Sequence, residues 1–132
     1  MNLAASSPHH HYLRSVVRIV ASFTFFLHGI QKFNYLGGLG GHSATPYTML
    51  WAAGIIECIG APLLFVGLFT RPVAFILSGE MAIGYFRTHF PRSFWPLLNG
   101  GEVTVVYCFL FLYLAFAGPG PWSLDALIWK KK

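Results

Sequence analysis

Hydrophobic positions along this chain gather into four long blocks, with turn-forming and polar residues collected between them. The blocks run from about Tyr12 to Phe33, Pro46 to Phe69, Pro72 to Phe90 and Gly101 to Ala117. The first two are long enough to cross a bilayer as helices, which takes roughly 20 residues. The third and fourth are shorter, so they tilt little or extend into the headgroups. The breaks have clear chemistry. "NYLGGLGGHSATP" carries glycines that hold a helix poorly. "TRP" at Thr70 to Pro72 makes a tight turn, with Pro72 acceptable at a helix start. "FPRSFWPLLNGG" separates the last two blocks. After "GPGP", Ser123 suits an N-cap and Asp125 falls in the first turn of a short helix flanked by Trp122 and Trp129. The pattern predicts an all-α fold: a four-transmembrane-helix bundle with a short C-terminal interfacial helix. Residues 1–11 read as a flexible tail ahead of one membrane domain, 12–132.

Composition strengthens the membrane assignment. Of 132 residues 55% are hydrophobic and only 10% are Asp, Glu, Lys or Arg, against about 25% charged residues in ordinary soluble domains. The net charge of +5 does not indicate nucleic acid, because the basic residues lie at segment ends rather than on one element. Arg14, Arg18, Arg71 and Lys130 to Lys132 would share one side of the bilayer, and Lys32, Arg87 and Arg92 the other. Six against three places both termini in the cytoplasm, in a multi-pass protein of a bacterial inner membrane with lipids among its partners. Arg14 and Arg18, one turn apart, are expected to anchor to lipid headgroups. The N-terminus lacks the form of a cleaved signal. Cys58 and Cys108 sit in apolar runs with no CxxC and read as small buried hydrophobes. His9 to His11 fall on the tail, where metal ligation has no fixed geometry.

The candidate chemistry lies in the acids. Glu57 and Glu80 fall within apolar blocks and Glu102 opens the fourth. A charge at the bilayer centre costs about 2.5–3.5 kcal/mol on insertion scales, so such residues turn inward and find partners. Glu80, Gly84 and Arg87 are spaced i, i+4, i+7 and so share a helical face; His28 and Lys32 do the same on the first helix. Gly54 and Gly60 flank Glu57 and admit a close neighbour. The expectation is one ligand or proton-handling pocket in the outward half of the bundle, formed by His28, Lys32, Glu57, Glu80, Arg87, His89 and Glu102, with no metal. Two alternatives stand beside it: buried pairs that only fix helix register, and Glu102 simply exposed at a helix N-terminus. Tyr107 reads as packing.

Several stretches, taken in order, resemble one family. They are "R…HGIQKF" from Arg18 to Phe33, "GIIECIGAPLLFVGLFTRPVA" from Gly54 to Ala74, "HF" at His89 and Phe90, "NGGE" at Asn99 to Glu102, and "AGPGPWSLD" at Ala117 to Asp125. The chain resembles the DoxX family of small bacterial membrane proteins. That resemblance implies four transmembrane helices and a quinone- or redox-linked membrane setting. It does not supply a reaction. It also implies that Lys32, Glu57, Arg71, His89 and Glu102 are recurrent polar positions, whereas Glu80 and Arg87 are a local addition, as a self-contained pair.

The residues themselves show no haem-attachment or iron–sulfur spacing. No Glu-x-x-His motif of a di-metal bundle occurs, since Gly60, Ile83 and Val105 follow the glutamates at that interval. A bis-histidine haem between His28 and His89 is the remaining metal alternative. The chain is therefore not expected to be catalytic alone. It reads as an accessory subunit of a membrane oxidoreductase, with quinone as the candidate ligand and other subunits of a membrane complex as partners. The alternative is a non-catalytic structural or lipid-binding subunit. Transport is disfavoured, because one four-helix bundle without repeats leaves little room for alternating access.

Overall fold

The structure is a computed structural model that describes residues 9–33 and 44–129. Among these residues there are six α-helices and no strands. They are α1 (His9–Gln31), α2 (Met49–Val66), α3 (Thr70–Gly84), α4 (Pro96–Asn99), α5 (Glu102–Ala117) and α6 (Leu124–Ile128), and α3 continues into a five-residue π-helical turn, Tyr85–His89. Residues 34–43 lie outside the described residues, as do Lys130 to Lys132, which were counted above in setting orientation.

The ends follow local chemistry. Thr48 caps α2 by accepting from Trp51 N at 3.3 Å. Gly67 closes it in the left-handed region (φ 72°), with Gly67 N donating to Leu64 O and Leu68 N to Leu63 O. Pro72 stands in the first turn of α3, where a missing N–H leaves no bond unmade. The short α4 opens on Pro96 and ends at Gly100 (φ 72°); the sequence pattern did not anticipate it. The expected α6 is present, capped by Ser123 Oγ accepting from Ala126 N at 3.1 Å. The tail boundary needs correcting. α1 starts at His9, so His9 to His11 form its first turn, with His11 Nδ1 3.4 Å from Arg14 Nη2 across one turn.

Helices α1, α2, α3 and α5 run alternately up and down. Arg18 near the start of α1 meets the end of α2, Lys32 just past its finish meets mid-α2, and Ser78 of α3 donates to Cys108 O of α5 at 2.7 Å. Phe25, Ala61, Leu64, Ala74, Leu77, Phe111 and Leu114 form the shared core. A methyl on Gly60 would lie 2.9 Å from Leu77, so glycine lets α3 close on α2.

The bundle is apolar outside and partly polar within. Ile59, Phe75, Val106 and Phe109 are exposed, while Arg18, Glu57, Ser15, Ser22 and Thr70 are buried. Such a wide apolar exterior suits contact with lipid rather than water. By length and apolarity α1 (23 residues) and α2 (18 residues) are each sufficient to cross a membrane; α5 is apolar but shorter.

Candidate functional site

The acids and bases are sorted between two ends of the bundle. At one end α1 finishes beside α2. A methyl on Gly29 would stand 3.0 Å from Glu57 Cβ and 3.1 Å from Cys58 Sγ, and one on Gly54 would meet the Phe33 ring at 2.8 Å. This close approach, which needs glycine on both helices, carries Lys32 to Glu57. Lys32 Nζ donates to Glu57 Oε2 at 2.6 Å and lies 3.5 Å from His28 O. Glu57 is 1% exposed and the lysine side chain 21%. It is the one ion pair among the described residues.

Glu80 reaches the same place from α3. Its carboxylate faces Glu57 and feels Lys32. Both of its oxygens are buried, and neither has a donor among the described residues. His28 is exposed, with its ring edge-on to Tyr107 at 5.9 Å. Tyr107 packs on Phe25 and Phe111 as expected, and its hydroxyl lies 2.7 Å from Thr24 Oγ1, so it also places a polar edge beside His28. His28, Lys32, Glu57 and Glu80 are thus brought together.

Three predicted members stand elsewhere. Arg87 is exposed and its Nη1 contacts Met49 Sδ at 2.7 Å. The Glu80–Arg87 pair does not form, because the π turn at Tyr85–His89 advances less per residue than an α-helix and swings Arg87 off the face of Glu80. His89 stacks near Tyr85, with Nδ1 3.1 Å from Asn99 O and Nε2 3.4 Å from Thr104 Oγ1. Both ring nitrogens thus face polar partners. Asn99 ties this second cluster by donating to Ser93 O and Tyr85 Oη and accepting from Gly101 N. Glu102 is exposed in the first turn of α5, where a carboxylate suits the helix N-terminus.

At the opposite end Arg18 is not the headgroup anchor expected of it. Arg18 is fully buried. Its Nε donates to Pro119 O at 2.9 Å, Nη1 to Leu64 O at 2.6 Å and Phe65 O at 2.5 Å, and Nη2 to Trp122 O. Arg14 donates to Ala117 O at 2.6 Å and Arg71 to Phe116 O at 2.6 Å. Each cation satisfies carbonyls that the ends of α2 and α5 leave free, where positive charge is also favoured by the helix dipole. Asp125 sits in the first turn of α6, but its two oxygens accept from Phe69 N and Thr70 N at 2.8 Å each and so cap α3. Gly120 (φ 80°) has no room for a side chain, since a methyl there would lie 2.2 Å from Ser15 Oγ. The sequence signal for this clamp was the scarcity of acids: with four in the whole chain, buried arginines must turn to carbonyls.

Comparison with known proteins finds relatives that align with most of the chain. A Haemophilus influenzae protein of uncharacterised function is 45% identical over 125 residues, covering 91% of this chain and 93% of that one. A Bacillus subtilis protein provisionally named oxidoreductase CatD is 29% identical, covering 89% and 87%. A Mycobacterium tuberculosis protein named uncharacterized membrane protein Rv3486 is 26% identical, covering 87% and 80%. No solved structure matches the chain. The family profile that matches, over residues 13–90, is that of DoxX, and it takes in α1 to α3 with the Lys32–Glu57 pair; the chain is a member of the DoxX family of membrane proteins.

Proposed function

We propose that this DoxX protein crosses a bacterial inner membrane four times, with both termini in the cytoplasm. In this reading α3 spans together with its π turn and α5 crosses as a short helix. The protein acts as a subunit of a quinone- or redox-linked complex, in which Lys32, Glu57, Glu80 and His28 handle protons. The observation that carries this is Glu80: a carboxylate buried without a donor beside a lysine–glutamate pair. Two carboxyls facing one another beside one lysine balance when they share a proton, and such a proton can be passed on. Exposed His28, next to Lys32, offers the route to the surface. The name of the Bacillus subtilis relative supports the redox setting.

Exposed His28 and the Tyr107 hydroxyl would offer hydrogen bonds to a quinone head at this end, while Phe25 and Phe111 behind Tyr107 stay buried in the core. A quinone would supply two-electron chemistry with uptake or release of two protons. The chain's own residues would position its head and hold or move those protons.

The test is isolation of the complex in mild detergent from its native membrane. A redox subunit should co-purify in fixed ratio. Glu57→Gln and Glu80→Gln should leave that ratio intact and lower turnover by at least about tenfold, the low side of what positioned acid–base groups contribute. Unchanged turnover in both variants would remove the reading. A second reading is favoured by the tight Gly29–Cys58 approach: the pair then only pins α1 to α2 in a non-catalytic structural or lipid-binding subunit.

A further inference from the structure

The arginine end holds a cleft that the clamp leaves open. Its volume is about 500 Å³, and His11, Arg14 and Arg71 line it with Pro119, Pro121 and Ala126. Both guanidinium groups converge on one turn, residues 115–118. Arg14 reaches Ala117 O, Arg71 reaches Phe116 O and Ala115 O, and Arg71 Nη2 lies 3.2 Å from the place a methyl on Gly118 would take. Nη1 alone supplies both of Arg71's hydrogen bonds among the described residues, and Arg71 is exposed. Nη2 and Nε make no hydrogen bond among the described residues.

No acid of this chain neutralises the cleft. Of its four acidic residues, Glu57 and Glu80 lie at the other end with Lys32, and Glu102 opens α5 at that same end. Asp125 is nearby, but each of its oxygens is already used by an N–H of α3. Two cations with no carboxylate partner therefore border a pocket whose remaining walls are mostly apolar. Its rim carries Tyr12 packed on Trp122 at 5.4 Å, and beside it the exposed Leu13, Val16 and Phe116 continue as apolar surface. An amphipathic aromatic pair at the edge of an apolar belt marks the depth of lipid headgroups.

We propose that this cleft binds the phosphate ester of an anionic phospholipid, with Arg14 and Arg71 on the phosphate and the acyl chains along Leu13, Val16 and Phe116. A guanidinium fork matches two phosphate oxygens at once, which a single-point ammonium cannot. The charge selects an anionic headgroup over a zwitterionic one. The apolar continuation selects a lipid over a soluble phosphate ester, which shares the headgroup chemistry. The site stands apart from the carboxylate cluster and does not depend on the function proposed for it.

The full chain is reconstituted in nanodiscs of equimolar phosphatidylglycerol and phosphatidylcholine, and retained lipid is identified by native mass spectrometry. Phosphatidylglycerol should be retained at least fivefold over phosphatidylcholine, the effect of about one basic residue at a membrane surface. Arg71→Gln should remove most of that preference. Because Arg71 also holds the end of α5, Ala126→Glu serves as a second variant: it sets a carboxylate into the cleft without touching any capping bond, so the preference should vanish with the melting temperature kept. Millimolar glycerol 1-phosphate should not displace the lipid. Equal retention of the two lipids, or full preference in Ala126→Glu, would overturn the proposal. Displacement by glycerol phosphate would overturn the lipid assignment in favour of a soluble phosphate ester.

Discussion

The two ends of this bundle spend their charges differently. At the arginine end Arg14, Arg18 and Arg71 donate to main-chain carbonyls, and Asp125 accepts from main-chain N–H groups. At the carboxylate end Lys32 and Glu57 satisfy one another through side chains, and Glu80 is left over. Charges committed to backbone hold helices together and have nothing to exchange. A surplus carboxyl among side chains has no such duty, and it is the place to look for chemistry. The comparison predicts a split: removing a charge that is paired, to backbone at the first end or in the Lys32–Glu57 pair at the second, should cost stability, whereas removing the surplus Glu80 should cost turnover more than stability.

The sharpest test is Arg18→Met. It removes a buried cation and leaves the carbonyls of Pro119, Phe65 and Trp122 without this donor. At about 1–3 kcal/mol for each unsatisfied buried group, the loss should reach at least about 3 kcal/mol, read as thermal unfolding in detergent. Arg18→Lys should recover little of it, because one ammonium cannot span the same acceptors. Wild-type melting would refute the clamp. Next in size, Lys32→Met should destabilise by about 3 kcal/mol, since it strands a buried carboxylate. Adding Glu57→Gln should restore most of the loss, and a double-mutant cycle should show coupling above about 1 kcal/mol; additivity would mean that the pair is not an energetic unit.

Asp125→Asn should cost about 1–2 kcal/mol, because an amide offers one oxygen where two N–H groups of α3 need acceptors. Smallest of all, Glu80→Gln should change unfolding by no more than about 1 kcal/mol, since the amide can donate to Glu57 in place of the shared proton. Its effect belongs in turnover. A large destabilisation by Glu80→Gln would erase the contrast between the two ends.

Much of this architecture was legible in the order of residues. Proline and glycine breaks located the helices, Ser123 marked the start of α6, and the rarity of charge inside apolar blocks singled out Lys32 and Glu57. What escaped has physical reasons. Strict α-helical spacing placed Arg87 beneath Glu80, and a single wider turn undid it. Arg18 looked like a headgroup anchor because it lies near one end of an apolar block. Its burial depends on a loop about a hundred positions later folding back across that end, with Gly120 tight against Ser15. Local pattern carries no trace of such a return. Glu102 and His89, grouped with the carboxylates by pattern, sit instead at the start of α5 and beside Asn99.

The reach of Arg18 has a bearing on how the chain is made. Two of the residues that accept its protons, Pro119 and Trp122, are 101 and 104 positions downstream. α1 therefore carries donors, Arg18 Nε and Nη2, that are satisfied only when a loop about a hundred residues downstream folds back across it. A chain cut before Pro119 would keep the α2 carbonyls for Arg18 but leave two of its three nitrogens without these acceptors.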